Sequence, residues 1–309
     1  MRRLALFLIV LFPLSAVAEE PKLLASLSPP RNGSGSWLAF TADGRTLAVG
    51  STKAIWVWDT ARWKLRKTFP YGAMSLAFSR DGRSLAIGSR FEQSYKALIL
   101  ELSTGRPRCT IAGRGVGQLA LSPDGSLLAM GQDSALQLWD VASGKQRPIT
   151  GGASSEPVCS LCFSPDGTLL AIGLDGGGII LWDFAANRQV AKLAARQANL
   201  MFSGDGLTLA SQDGEKSAKT WDVKTRRERL KMDFGHPISG IALNNDGTML
   251  ALAGESIGVE LLDAITGKHL VRLSGAETGD VAFSPDGKLL AVGGADNTVK
   301  VWKLPQLRR

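Results

Sequence analysis

Cysteine and histidine carry much of the nucleophilic, redox and metal chemistry of proteins, and this chain of 309 residues has three of the first and two of the second. Cys159 and Cys162 have the spacing of a redox CxxC motif or of half a metal site. Their segment, however, is an apolar run that predicts an inner β-strand. Residues three apart on a strand point to opposite faces, which is unsuitable for a shared disulfide or metal ion. We therefore interpret both, and Cys109, as buried hydrophobic residues.

The two histidines suggest no catalytic pair. His236 lies between Gly235 and Pro237 in a predicted loop, and His269 lies on a polar segment that predicts an outer strand. A loop histidine beside a proline is more often a capping or packing group than a general base. We assign no catalytic, metal-binding or cofactor-binding residue from these side chains.

The elements that would position any site are repeats. An Asp-Gly pair recurs seven times along the chain, at steps of 38 to 43 residues. A period of about 40 to 45 residues is typical of a four-stranded blade repeated around an axis. The sequence therefore predicts an all-β, seven-bladed β-propeller of four-stranded antiparallel blades. The repeated aspartates are Asp43, Asp81, Asp124, Asp166, Asp205, Asp246 and Asp286.

Each repeat has the same order of short runs. In the last one, the apolar run 281–283 precedes the turn Ser284-Pro285-Asp286-Gly287, and a second apolar run follows it. Serine and proline at the first two positions and glycine at the fourth favour a tight turn between antiparallel strands. A third run commonly ends in Trp-Asp, as at Trp182-Asp183, and a fourth is polar. Inner strands covered on both faces are expected to be apolar, and outer strands to be charged.

This order of elements resembles the WD-repeat β-propeller family over residues 23–303. Leu100-Glu101 and Leu262-Asp263 depart from the Trp-Asp ending, and the last repeat ends in Trp302-Lys303. The resemblance implies a non-catalytic scaffold that binds a protein or peptide. It also implies that the loops joining outer to inner strands, and second to third strands, form one face that contacts partners.

A buried His–Ser/Thr–Asp–Trp hydrogen-bond network, which the resemblance implies for each blade, is largely missing. Apolar residues hold the Ser/Thr position in most repeats, Val49 and Ile172 among them, and Ser211 is the exception. Replacing a complete buried polar network by apolar residues of similar shape can be neutral for stability. We therefore expect the blades to rely on packing.

Residues 1–18 have the features of a secretory signal peptide. Arg2 and Arg3 precede the apolar run 4–14, and Ala16-Val17-Ala18 is a small-x-small cleavage site. The run is short for a hydrocarbon core of ~30 Å. The sequence predicts an exported protein of the periplasm or the medium, with no membrane span after cleavage, whose residues 19–309 form the propeller. The economy of the chain suggests a bacterial family member.

The new N-terminus is predicted to close the ring. The seventh repeat lacks an outer strand of its own, because few residues follow Lys303. The segment 22–28 aligns residue for residue with 268–274, which is the predicted outer strand of the sixth repeat. We expect 22–27 to pair with 298–302 and complete the last blade.

Charge is spread over the predicted outer strands. The formal net charge is +8, and it falls to +6 without Arg2 and Arg3. Edge protection and solubility are favoured over a binding patch, and no nucleic-acid partner is expected, because neither aromatic interleaving nor a continuous basic track is present. The two basic groups are Arg62, Lys64, Arg66 and Lys67, and Lys216, Lys219, Lys224, Arg226, Arg227, Arg229 and Lys231.

Catalysis in such a fold would need groups that converge on the central channel. One residue of each innermost strand is expected near the channel mouth, three positions before the last apolar residue. This channel ring has one carboxylate and no histidine, so it supplies neither an acid–base pair nor a metal cluster. Its members are Trp37, Ser75, Gln118, Ser160, Asn199, Gly240 and Asp280. A quinoprotein or lactonase-like enzyme, or a propeller resembling the Tol periplasmic component, remains the alternative.

One loop of the partner face stands out by its length. Ser89 to Lys96 is three residues longer than the standard connection and carries Arg90, Phe91 and Tyr95, types enriched at interface hot spots. Tyr71 and Arg114 lie on loops that open onto the same face. We predict that these five residues contact an unknown protein or peptide and that the protein is a monomer. The equal alternative is that Phe91 and Tyr95 pack their own loop.

Overall fold

Short apolar runs separated by Gly- and Pro-containing turns form antiparallel strands throughout the computed structural model. The structure describes residues 20–30, 37–91, 94–113, 118–132, 135–149, 156–196, 199–254, 258–273, 279–294, 296 and 298–305. Those residues form 28 strands in seven four-stranded antiparallel sheets, which confirms the predicted seven-bladed propeller. None of the described segments is a helix that could cross a membrane. Residues 1–18, the predicted signal peptide, lie outside the described ranges.

Each blade takes its four strands in chain order, except that the last blade includes the first strand of the chain. Strand β1 is Lys22–Leu27. Blade 1 contains β2 (Trp37–Phe40), β3 (Thr46–Gly50), β4 (Ile55–Asp59) and β5 (Lys64–Phe69), and blade 2 contains β6 (Ser75–Phe78), β7 (Ser84–Phe91), β8 (Ser94–Glu101) and β9 (Pro107–Gly113). Blade 3 contains β10 (Gln118–Leu121), β11 (Leu127–Gln132), β12 (Ala135–Asp140) and β13 (Lys145–Arg147), and blade 4 contains β14 (Val158–Phe163), β15 (Leu169–Leu174), β16 (Ile179–Asp183) and β17 (Arg188–Leu193). Blade 5 contains β18 (Leu200–Phe202), β19 (Thr208–Gln212), β20 (Ser217–Asp222) and β21 (Arg227–Asp233), and blade 6 contains β22 (Gly240–Leu243), β23 (Met249–Gly254), β24 (Gly258–Asp263) and β25 (His269–Leu273). Blade 7 contains β26 (Val281–Phe283), β27 (Leu289–Gly293), β28 (Val299–Lys303) and β1.

The ring closes as the sequence predicts. Strand β1 pairs antiparallel with β28, with Lys22 opposite Lys303 and Leu27 opposite Val299. Leu27 is buried between blades 7 and 1, in a cluster that includes Val299. The first strand of the chain therefore supplies the outer edge of the last blade.

The Asp-Gly turns are held by their own side chains. In blade 3 the Ser122 hydroxyl donates to Oδ1 of Asp124 at 2.5 Å, and its oxygen accepts from the N–H of Leu127 at 2.9 Å. Gly125 takes the positive φ of 72° that the fourth turn position requires. The Ser122 hydrogen bond also lowers the pKa of the Asp124 carboxyl. The residue types of the turn thus fix its geometry through contacts within the turn itself.

The hydrophobic core is divided among the blade interfaces. Seven clusters of buried side chains each join one pair of neighbouring blades, and the cluster between blades 7 and 1 contains residues from both ends of the chain. Stability therefore depends on an unbroken ring of neighbours, as in other repeat architectures. We call the side of the ring with the Asp-Gly turns the turn face, and the opposite side the loop face.

The tryptophan indoles show how far packing has replaced the polar network. Trp221 Nε1 donates to Oγ of Ser211 at 3.0 Å, as the exception in the sequence suggests. In the described part of the chain, the buried Nε1 atoms of Trp58, Trp182 and Trp302 have no hydrogen-bond partner. The position equivalent to Ser211 is apolar beside each of them, and it is Val49 beside Trp58. Blade 1 therefore carries an unsatisfied donor that a hydroxyl at position 49 could satisfy.

The first prediction follows from that donor. Val49→Thr should reduce the free energy of unfolding less than Val57→Thr, a change at an equally buried valine of the neighbouring strand. A buried hydroxyl without a partner costs about 1 to 2 kcal/mol, whereas a new bond from Trp58 offsets about 1 kcal/mol of it. Urea unfolding of the two variants would measure the difference. Equal decreases in the free energy of unfolding would show that a hydroxyl at position 49 does not reach the Trp58 indole.

Candidate functional site

The residues of the channel ring occupy equivalent positions at the start of each innermost strand. Trp37, Ser75 and Gln118 are the first residues of their strands, and each lies opposite a glycine of the next strand. Ser160 also lies opposite such a glycine, Gly173, next to a bulge in its strand. The ring therefore follows from the repeat itself.

Two members of the ring bind the backbone of the following blade. Asp280 accepts from the N–H of Leu38 through Oδ2 at 2.9 Å and from the N–H of Val281 through Oδ1 at 3.0 Å. Ser160 Oγ accepts from the N–H of Leu200 at 3.0 Å. These side chains join blade 7 to blade 1 and blade 4 to blade 5. Their hydrogen bonds hold blades together and point to a structural role.

Asp280 is the only carboxyl of the ring. Burial raises its pKa to about 6, although the N–H groups of Leu38 and Val281 act in the opposite direction. A raised carboxyl pKa is also a property of catalytic acids. Here no other member of the ring is an acid or a base, so the position lacks a partner for proton transfer. Among the described residues, no group of three or more His, Cys, Asp or Glu side chains could hold a metal ion.

The three cysteines, all within the described residues, form no disulfide, and they are half-buried where the sequence predicted burial. Cys162 borders the central channel as well as the cluster between blades 4 and 5, which leaves part of it accessible. Burial still raises its pKa to about 11, and burial also raises the pKa of Cys109. The Cys162 thiol is therefore protonated at neutral pH and is not an activated nucleophile. His236 is exposed on its loop, and His269 lies 3.7 Å from Glu260 on an outer strand.

The long connection of blade 2 is a β-hairpin, which corrects the predicted loop. Strands β7 and β8 continue past Gly88, with Ser89 opposite Lys96, Arg90 opposite Tyr95, and Phe91 opposite Ser94. Bulky and aromatic residues favour the extended conformation, and pairing satisfies backbone groups that a loop would leave to water. We call residues 89–91 and 94–96 the blade-2 hairpin. It extends the sheet by three residue pairs on the loop face.

The other two predicted contact residues do not join the hairpin in one described site. Tyr71 lies on the loop between β5 and β6, half-buried against the cluster between blades 1 and 2. It contributes to the core as well as to the loop face. Arg114 lies outside the described residues. The predicted partner site is therefore represented by the hairpin and by the exposed part of Tyr71.

A cleft that the sequence did not suggest opens between blades 4 and 5. We call it the blade 4–5 cleft; its volume is about 690 Å³, and three loops of the loop face border it. Asp213 lies at its centre, with Oδ1 accepting from the N–H of Arg196 at 2.7 Å and Oδ2 lying 3.5 Å from Nζ of Lys219. Its lining is Gly176, Gly177, Gly178, Lys192, Leu193, Ala194, Ala195, Arg196, Asp213, Ser217, Lys219 and Lys231. The basic composition of β20 and β21 was the one signal in the sequence.

Phenylalanine and proline rings, with polar side chains among them, surround the channel mouth on the turn face. Arg80 crosses it, donating from its backbone N–H to the carbonyl of Pro123 at 2.8 Å and from Nη1 to the carbonyl of Pro165 at 3.1 Å. The side chains around this opening include Phe40, Phe78, Phe163, Phe283, Pro123, Pro165 and Pro285. These phenyl and pyrrolidine rings supply apolar contact area, and Arg80, Asn245 and Ser284 line the same opening.

Three segments match the family model described as WD domain, G-beta repeat: residues 105–140, 145–183 and 267–303. Each begins with or just before the outer strand of one blade and ends on the third strand of the next. A sequence repeat is thus staggered by one strand against the structural blade. This stagger explains why the chain begins its first repeat with β1.

A curated protein and a solved β-propeller domain are also similar to this chain. The chain is 28% identical to Protein groucho of Drosophila melanogaster over 196 residues, which are 62% of this chain and 27% of groucho. It therefore spans about a quarter of the length of that relative. The β-propeller domain of Myceliophteria thermophila Cps50 (Swd1) superposes with a TM-score of 0.81 at 16% identity, covering 92% of this chain and 100% of that domain. At this identity the superposition shows the fold alone.

Proposed function

Since the chain is a member of the WD-repeat β-propeller family, we propose that it is a non-catalytic scaffold that docks a protein or peptide on its loop face. WD-repeat propellers typically bind proteins. The observation that carries the proposal is the blade-2 hairpin, which extends beyond the repeat pattern that builds the ring. An extension that the ring does not need for closure suggests a second purpose.

The hairpin has the properties of a docking element. It is supported on its outer side by β9, with Lys96 opposite Ala112 and Tyr95 opposite Gly113, so its backbone is held in place before a partner arrives. A pre-ordered element loses little conformational entropy on binding. Arginine and aromatic residues, which the hairpin carries at positions 90, 91 and 95, are the types that dominate interface energies.

The channel ring supports the non-catalytic assignment. Asp280 and Ser160 are engaged with backbone N–H groups of the neighbouring blade, at 2.9 and 3.0 Å. A catalytic carboxyl would need to release such bonds to reach a substrate. We further propose that the protein acts as a monomer and is exported, an inference that depends on the signal-like composition of residues 1–18.

A triple substitution tests the docking proposal. Arg90→Ala, Phe91→Ala and Tyr95→Ala together should weaken partner binding at least about tenfold, because hot-spot residues cost more than about 1 kcal/mol each when truncated. The measurement is affinity capture from the native envelope or medium, followed by calorimetry with the purified partner.

The matched control removes similar side chains from the turn face. Arg62, Leu207 and Ile265 are exposed on turns of that side, and their joint replacement by Ala should leave binding unchanged. Melting curves would confirm that both variants are folded. Full retention of the partner by the hairpin variant would refute docking at this site.

A further inference from the structure

We propose that the blade 4–5 cleft binds an acidic segment of a partner peptide through ion pairs with the lysines of its walls. The proposal rests on the proposed docking function, because it names the chemistry of a partner on the same loop face. Three observations carry it: the position of the cleft, its charge and the ordering of its cations.

The cleft is built from loops that belong to the partner face. Its walls come from the β15–β16 connection of blade 4, the segment that follows β17, and the first residues of β20 in blade 5. Lys231, on the outer strand of blade 5, completes it. A segment that lies across the loop face can therefore reach both blades at once.

The lining carries more positive than negative charge. Four cationic side chains line the cleft against one carboxylate, that of Asp213; they are Lys192, Arg196, Lys219 and Lys231. Lys219 also lies 3.2 Å from Glu228 Oε2, which takes up one more positive charge. Glu156 also lies beside Gly176 of the lining, so one cation remains in excess, and a carboxylate entering the cleft would complete the pairing.

The cations next to Asp213 are held in place before a ligand arrives. Lys219 Nζ donates to the carbonyl of Ala194 at 2.8 Å and lies 5.4 Å from the centre of the Trp221 ring. Lys231 Nζ shares the same Asp213 oxygen at 3.6 Å. Two ammonium groups around one buried carboxylate form a preordered site that a ligand need not organise. Lys231 is half-exposed and can turn towards a ligand.

Three consecutive glycines, Gly176 to Gly178, form part of the cleft lining. Gly177 and Gly178 adopt φ values of 96° and 107°, which other residues rarely take. A Cβ at Gly178 would lie 3.0 Å from Cε of Lys192, and one at Gly176 would lie 2.6 Å from Oε2 of Glu156. The missing Cβ atoms therefore let Glu156 and Lys192 lie against this backbone, and the cleft volume of about 690 Å³ is within the range usual for ligand sites.

The arrangement favours a peptide over a nucleic acid. Glu156 and Glu228 border the cleft, and their carboxylates would repel a closely spaced row of phosphates. Nucleic-acid binding also needs a continuous basic track with aromatic stacking. A peptide can place a single carboxylate beside the excess cation and avoid the acidic border.

The test measures fluorescence anisotropy with a labelled octapeptide of alternating Asp and Glu, and with its counterpart of Asn and Gln. The purified protein should bind the acidic peptide and not the neutral one. The triple variant Lys192→Gln, Arg196→Gln and Lys231→Gln should bind the acidic peptide about tenfold more weakly at about 0.1 M salt. Asp213 keeps its bond from Lys219 in that variant, so the fold should persist.

A second variant removes the same charge elsewhere. Arg62→Gln, Lys64→Gln and Lys224→Gln lie on exposed turns and outer strands, and together they should change the affinity less than about twofold. If both variants bound the acidic peptide equally weakly, net charge alone would explain the affinity, and the proposal would be overturned. So would the absence of acidic-peptide binding, or displacement of the peptide by inorganic phosphate or a single-stranded oligonucleotide at lower concentration than by unlabelled peptide.

Failure here can be told apart from failure of the docking function. If the cleft variant binds the octapeptide normally while the hairpin variant still loses its partner, the cleft proposal fails and docking stands. If neither the hairpin nor the cleft variant loses the captured partner, docking on these surfaces fails.

Discussion

Removal of residues 19–30 is expected to lower the melting temperature by about 10 °C or more. The deleted segment contains β1, whose five paired residues form the outer edge of blade 7. Loss of the strand pairing and of the buried Leu27 side chain should together lower the free energy of unfolding by about 5 kcal/mol. This value takes about 1 kcal/mol per backbone hydrogen bond and about 2 kcal/mol for a buried leucine. Differential scanning calorimetry would measure the shift.

The size of the effect follows from the ring. Without β1, strand β28 becomes an unprotected edge, and Val299 and Val301 lose their cover in the interface with blade 1. A propeller holds its first and last blades together through that interface alone, so the damage cannot be confined to one blade. Separate addition of a peptide with the sequence of residues 19–30 should restore part of the lost stability.

Two single substitutions within β1 provide the matched control. Leu27 is 3% exposed, so Leu27→Ala should cost about 3 kcal/mol, whereas Leu24 is 46% exposed and Leu24→Ala should cost less than about 0.5 kcal/mol. An unchanged melting curve after deletion, or equal effects of the two substitutions, would refute closure by this strand.

The closure was predictable because repetition supplies the comparison. Segment 22–28 could be aligned with 268–274 within one sequence, and the seventh repeat lacked an outer strand. The turns were predictable for a different reason: serine, aspartate and glycine settle their geometry within a few residues, as Ser122, Asp124 and Gly125 show. Local chemistry and periodicity together determine the ring.

The candidate sites were less predictable because they arise where repeats differ or meet. The extra residues of blade 2 indicated an insertion in the sequence. The length of that insertion did not show whether it forms a loop or a paired hairpin, in which Arg90 lies opposite Tyr95. The blade 4–5 cleft joins Gly177 of one repeat to Asp213 and Lys219 of the next. Nothing in the composition of either segment predicts that their backbone and side chains line the same space.

Asp280 was equally hard to predict from the sequence, since its hydrogen-bond partner Leu38 is 242 residues away in the chain.

The stability of the protein should depend on pH through the Asp280 carboxyl. Burial raises its pKa from 3.8 to about 6, so the folded protein binds the proton more tightly than the unfolded chain. The resulting stability is fully present below about pH 4 and is lost as the pH rises towards the folded-state value. The loss amounts to about 3 kcal/mol at 1.36 kcal/mol per pKa unit.

Asp280→Ser should remove this pH dependence. A serine there can accept from the N–H of Leu38 as Ser160 accepts from that of Leu200, without a titrating group. The turn aspartates Asp43, Asp81 and Asp124 titrate in the opposite sense, because side-chain hydrogen bonds lower the pKa of their carboxyls, so the stability that they contribute is lost in acid. The informative quantity is therefore the difference in unfolding free energy between wild type and variant, measured by urea unfolding from pH 4 to pH 7.

That difference should shift by up to about 3 kcal/mol in favour of the variant as the pH rises through this range. Ser160→Asp is the converse test at the seam between blades 4 and 5, and it should introduce a pH dependence of the same sign. A difference between wild type and Asp280→Ser that stays flat from pH 4 to pH 7 would show that the carboxyl titrates normally. The interface between blades 7 and 1 would then gain no stability from protonation of Asp280.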